Sequence, residues 1–183
     1  MFANDITETK EKSKKIPRKI TKTRLKNIAL YYLERYESSV QNLREVLQKR
    51  ILKYKKFFPE YDTKEAFDWA EEVISELEKL GYVDDARFAE MKINSYLSAG
   101  KPTRYIKIKL REKGISSAMV DAVLAEKEFS PLDMAIKFAK KKKIGPFTND
   151  AEQRKQNRPK DLGKLVRAGF DYDIALQVLD MEE

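Results

Sequence analysis

The chain has 183 residues and contains neither cysteine nor histidine. The first absence excludes disulfides and thiolate metal ligands. The second excludes Cys–His and Ser–His–Asp nucleophiles, histidine general acid–base catalysis and the usual zinc sites. A cysteine-free chain suits a reducing compartment, and a cytoplasmic location is expected. No apolar run approaches the roughly 18 residues that span a bilayer. Met1–Lys15 has no apolar core of the kind a secretory signal needs, so neither a leader nor a membrane partner is expected. No GxxxxGK[ST] or GxGxxG pattern occurs, so no nucleotide site and no cofactor is expected. Glycine and proline are scarce, six of each, and each therefore carries positional meaning.

What the chain has in quantity is charge. Thirty-eight Lys and Arg stand against 30 Asp and Glu, a net charge of +8. The signs are segregated. Met1–Lys26 holds nine basic and three acidic residues, Phe57–Glu90 three basic and eleven acidic, and Lys101–Lys113 six basic and one acidic. Such a surface can meet a polyanion on one side and a protein on another.

The glycines punctuate helices. In Lys109–Leu124 (KLREKGISSAMVDAVL), Leu110, Gly114 and Ile115 fall at C3, C′ and C″ of a Schellman stop, with Gly in the left-handed conformation and the C″ side chain packing back on C3. Ser116 or Ser117 then caps a new helix bearing Met119, Val120, Val123 and Leu124. Leu165, Gly169 and Phe170 repeat the three stop positions 55 residues later, and Leu77, Gly81 and Tyr82 occupy them 33 residues earlier. Lys109–Leu124 and Lys164–Leu179 align with five identities. Three stops of one grammar indicate an internal helical repeat whose units share a core when stacked.

Nine helices follow in chain order. Residues 1 to about 21 read as a mobile basic tail. Thr23 is placed to cap the first helix, Ser38 or Ser39 the second, and Thr63 an acidic third that runs to Leu80. Asp84 caps a fourth helix carrying Phe88. Pro102 opens a short fifth, a Ser116–Ser117 cap the sixth, and Ser130–Pro131 the seventh. Residues 147–158 are polar and unassigned. Pro159 is expected to open the eighth helix, and Tyr172–Met181 forms the ninth. The expected fold is all-α, a curved array of three tandem three-helix repeats at about 23–80, 84–127 and 130–181 after a tail at 1–22.

Several stretches together resemble one family. LEKLGYVDDARFA (Leu77–Ala89), GKPTRYIKIKLREKGIS (Gly100–Ser116), AVL (Ala122–Leu124) and RAGFDYDIALQVL (Arg167–Leu179) are similar to the RecX family, regulatory proteins of the RecA recombinase. YLERYESSVQNLREVL (Tyr32–Leu47) is similar to that family's first-unit pattern, although Asn42 stands where an acid is common and Tyr36 where a second Arg is common. The resemblance implies a curved array of three three-helix repeats. It also implies a monomer without catalytic chemistry of its own, which binds RecA in the groove of the RecA–DNA filament. There it would inhibit ATP hydrolysis, strand exchange and co-protease activity, and so act in the regulation of DNA repair, touching single- or double-stranded DNA weakly or through the filament.

The residues expected to face such a filament are cationic. Arg104, Lys107 and Arg111 lie within about 60° of one another on the side opposite Ile106 and Leu110, at 100° per residue. Lys113, Lys140, Lys141, Lys160, Lys164 and Arg167 are further candidates, because a Lys/Arg stripe can neutralise phosphates or pair with acidic residues of a protein lattice. Under the 55-residue alignment only Lys109 and Lys164 coincide, so the basic stripes of the second and third repeats occupy different helix faces. Asp84 and Asp85 form no shared carboxylate site, since neighbours on a helix do not share a face; a cap is the expected role. A basic module that binds DNA or RNA directly, without RecA, is the competing reading.

Overall fold

Three separate apolar cores divide the chain. In the computed structural model, which describes residues 16–149 and 151–181, the described residues form nine α-helices and one short 3₁₀ turn, with no strand. Helices α1 (Lys22–Leu33), α2 (Val40–Phe57) and α3 (Lys64–Lys79) enclose the first core, which includes Leu25, Leu43, Leu47, Ile51, Val73 and Leu77. Helices α4 (Asp85–Ser98), α5 (Thr103–Arg111) and α6 (Ser117–Ala125) enclose the second, around Phe88, Ile93, Ile106, Leu110 and Ile115. Helices α7 (Pro131–Lys142), α8 (Ala151–Ala168) and α9 (Tyr172–Asp180) enclose the third, around Met134, Ile144, Leu165, Phe170 and Val178. Each such large apolar side chain contributes about 1.5–3 kcal/mol through burial. Leu97 and Phe129 touch both the second and the third core and couple them.

The glycine stops are built as the spacing predicts. Gly114 N donates to Arg111 O and Ile115 N to Leu110 O; Gly169 N donates to Val166 O and Phe170 N to Leu165 O; Gly81 N donates to Glu78 O and Tyr82 N to Leu77 O, all at 2.9–3.2 Å. Ile115 and Phe170 are buried, beside Leu110 and Leu165. Tyr82 departs from the pattern: it is 55% exposed, and Val83, one residue on, fills the core in its place. A phenol tolerates water that an aliphatic C″ residue does not. The same hydrogen-bond pair ends α4 at Gly100 and, without a glycine, α7 at Lys143, whose φ of 51° is left-handed.

Two helix caps, those of α1 and α3, differ from expectation, and the other side-chain caps fall where expected. Thr21, not Thr23, caps α1, accepting from Arg24 N at 3.2 Å. Ser39 caps α2 through Asn42 N, Asp84 caps α4 through Ala86 N and Arg87 N, Ser116 caps α6, and Ser130 caps α7 with Pro131 in the first turn. Thr63 makes no side-chain cap; Asp62 supplies the oxygen instead, accepting from Lys64 N at 2.9 Å. Residues 1–15 of the basic segment expected to be mobile lie outside the described residues. The rest of that segment is not loose: Ile20 is 3% exposed and belongs to the first core.

The largest correction is α8. It begins at Ala151, eight residues before the expected start, and carries Pro159 inside it. Proline removes one backbone donor and crowds the preceding turn. Tertiary contacts offset this. Arg154 Nη2 donates to Met181 O at 2.5 Å, and Arg158 Nη2 donates to Asp180 at 2.7 Å, so the polar first half of α8 is tied to the end of α9.

Candidate functional site

The candidate surfaces are positioned by two joints of the same design. At the first, the Gly114 corner of the second unit meets the start of α2. A Cβ on Gly114 would overlap Gln41 Cβ and lie 3.0 Å from its Cγ. Around that contact, Ser39 Oγ donates to Lys113 O at 2.7 Å, Lys113 Nζ donates to Asn42 Oδ1 at 3.0 Å, and Asp85 Oδ1 accepts from Val40 N at 2.8 Å. Asp85 thus places a carboxylate at the positive end of a helix other than its own. Arg87 adds an ion pair with Glu37 at 2.8 Å, and this hydrogen bond raises the guanidinium pKa.

At the second joint, the Gly169 corner of the third unit meets the start of α5. A Cβ there would lie 3.3 Å from Pro102 Cγ and 3.4 Å from Arg104 Cβ. Gln41 and Arg104 are each the second residue of the middle helix in their unit. Gly81, in contrast, follows a third helix, and a Cβ there would meet nothing within 4 Å. Its likeness to Gly114 and Gly169 is local only.

The second joint sets the base of Arg104 and leaves its guanidinium outside. Arg104, Lys107 and Arg111 are exposed and line one open groove of about 390 Å³ with Thr103 and Ile108. Lys107 is paired with Asp121 at 2.6 Å, whereas Arg104 and Arg111 have no ion pair among the described residues. Ile108, between the cations, is 41% exposed. An apolar side chain flanked by free guanidinium groups suits a protein surface with acidic neighbours better than a bare phosphate chain.

The other predicted cations are dispersed. Lys113 is held in the first joint. Lys164 pairs with Asp161 at 2.8 Å, and Asp161, buried at 2% exposure, also accepts from Gly145 N at 3.2 Å. Lys140 lies over the Phe147 ring, 5.4 Å from its centroid. Lys141, Lys160 and Arg167 are exposed. Among the described residues, no cluster of three or more Asp or Glu could hold a metal ion, and no helix is long and apolar enough to cross a membrane. Asp84 serves as a helix cap and Asp85 as the joint carboxylate.

Sequence reasoning missed a second groove, of about 720 Å³, on the first unit. Arg18, Arg24, Arg35 and Arg50 line it with Tyr31, Tyr32 and Tyr36. A signal was present: Arg24, Tyr31 and Arg35 fall within about 40° at 100° per residue.

Fold and surface together define an all-α array of tandem three-helix units with cationic grooves. Residues 84–124 match the family model described as RecX, second three-helix domain. The chain is 39% identical over 173 residues to the regulatory protein RecX of Myxococcus xanthus, covering 93% of this chain and 92% of that one. It is 26% identical over 156 residues to the regulatory protein RecX of Agrobacterium fabrum, covering 85% and 82%. A crystal structure of RecX from Lactobacillus salivarius superposes with a TM-score of 0.60 at 22% identity, covering 87% of this chain and 96% of that one. The chain belongs to the RecX family of regulatory proteins.

Proposed function

We propose that this protein regulates the RecA recombinase by binding it along the groove of the RecA–DNA filament, and that it lowers ATP hydrolysis, strand exchange and co-protease activity without chemistry of its own. The observation that carries this reading is the match, over nearly the whole of both chains, to a regulatory protein RecX. The protein acts as a cytoplasmic monomer. Its array of three units, at about 23–80, 84–127 and 130–181, lays its cationic flank on the filament. Arg104 and Arg111 carry the contact, supported by Ile108, because their guanidinium groups are exposed and unpaired, and the second joint fixes the base of Arg104. Lys141, Lys160 and Arg167 extend the flank, while Lys107, Lys113, Lys140 and Lys164 contribute less, each having a partner within the chain.

Co-sedimentation with RecA filaments assembled on single-stranded DNA tests the binding step. The protein pellets with the filament, and much less of it pellets when RecA is left out at moderate salt. Equal recovery with and without RecA would instead favour direct nucleic-acid binding as the whole of its function.

A further inference from the structure

The groove on the first unit has a chemistry that the recombinase-facing surface lacks. The two flanks of α1 are electrically different. On one, Lys22 and Lys26 pair with Glu72 and Glu76 of α3. Arg24 on the other, Arg35 just past the helix end, and Arg18 and Arg50 beside them have no ion pair among the described residues, and no carboxylate lines the groove. Arg18, Arg24 and Arg50 also line the adjoining cleft beside Lys53, so the positive potential continues past the groove. Aromatic rings lie between the charges. Tyr31 and Tyr36 are each 57% exposed. The Arg35 guanidinium lies 4.1 Å from the centroid of the Tyr31 ring, and Tyr36 packs on Tyr32 at 5.1 Å between centroids. Tyr32 is held in turn by a 2.7 Å hydrogen bond from Asn42 to its hydroxyl. These flat groups are fixed from below and open above.

We propose that this groove binds single-stranded DNA, with the bases stacking on Tyr31, Tyr36 and the Arg35 plane and the phosphates neutralised by Arg18, Arg24 and Arg50. Guanidinium groups alternating with exposed aryl faces suit a strand whose bases are unpaired, since every base offers a π-face and a duplex offers none at its sides. An acidic peptide would satisfy the charges and leave the rings unused. Binding here needs neither RecA nor the Arg104 groove. Only the choice of DNA over RNA rests on the function proposed above.

Fluorescence anisotropy of a labelled oligo-dT, titrated with the full chain and no RecA, tests this. The chain binds oligo-dT more tightly than a duplex of equal length, and log affinity falls with log salt by about 0.7 per phosphate contacted. Tyr31→Ala and Tyr36→Ala each weaken binding on the order of tenfold, and Tyr→Phe at either position retains it, because the ring and not the hydroxyl stacks. Both residues are exposed, and circular dichroism checks that the variants keep their helix content. Arg104→Glu with Arg111→Glu leaves oligo-dT affinity within about twofold, which separates this site from the recombinase-facing one. Four results would overturn the proposal: no binding at low salt, equal affinity for duplex, insensitivity to both alanine variants, or tighter capture of an oligo-rU or a poly-glutamate peptide than of oligo-dT.

Discussion

Gly114 and Gln41 compete for one volume: a Cβ on Gly114 would overlap Gln41 Cβ, and the two residues come from different three-helix units. The contact fixes how the second unit seats on the first. It yields a comparison with an internal control, because Gly81 has nearly the same φ, 74° against 80°, and no neighbour within 4 Å. Gly81→Ala is expected to cost about 1–2 kcal/mol, the strain of a left-handed alanine. Gly114→Ala carries that strain and adds overpacking of about 1–3 kcal/mol. Urea denaturation of the two variants reads the difference directly. Equal losses would mean that the joint is loose.

Lys143 provides the opposite case. It occupies the left-handed cap position of α7 that glycine fills at four other stops, with Ile144 N still bonded to Ala139 O at 3.0 Å. Lys143→Gly is expected to stabilise the protein by up to about 1 kcal/mol, seen as a higher urea midpoint at unchanged slope.

The α1–α3 contact has an acid limb. The hydrogen bond from Lys26 holds the Glu76 carboxyl below its ordinary value of 4.5. A carboxyl depressed in the folded state stabilises that state above its unfolded pKa, and this contribution disappears as pH falls through the folded pKa. An NMR titration of the Glu76 side chain should therefore show a midpoint below that of an isolated glutamate, and Lys26→Ala should return it to the ordinary value. An unchanged midpoint in the variant would remove Lys26 as the cause.

The contact proposed for the Arg104 groove predicts an order among its cations. Arg104→Glu and Arg111→Glu should each raise the concentration for half-inhibition of RecA by about tenfold, the loss of a charge-assisted contact. Lys107→Glu should do less, because Asp121 already engages that ammonium at 2.6 Å. A larger effect at Lys107 than at Arg104 would misassign the contact.

What could be read from the sequence divides by distance along the chain. Leu110, Gly114 and Ile115 span six residues, and their backbone bonds follow from glycine's access to positive φ, so the stops were legible. The encounter of Gly114 with Gln41, 73 residues away, was not, because a local motif carries no record of its neighbour. Gly81 shows the same limit, since it repeats the motif and lacks the joint. Pro159 misled for a related reason: its local preference is to open a helix, and Arg154 and Arg158, anchored to the end of α9, override it. The Arg104–Arg111 stripe was legible from helical periodicity, whereas the pairing of Lys164 with the buried Asp161 depended on packing of the third unit.

The central claim is that this chain slows a recombinase by occupying its filament. The most direct measurement is steady-state ATP hydrolysis by RecA on single-stranded DNA, with this protein added to saturation. The account predicts a fall in turnover that the Arg104→Glu/Arg111→Glu variant does not produce. Unchanged turnover with the wild-type protein at saturation would contradict it.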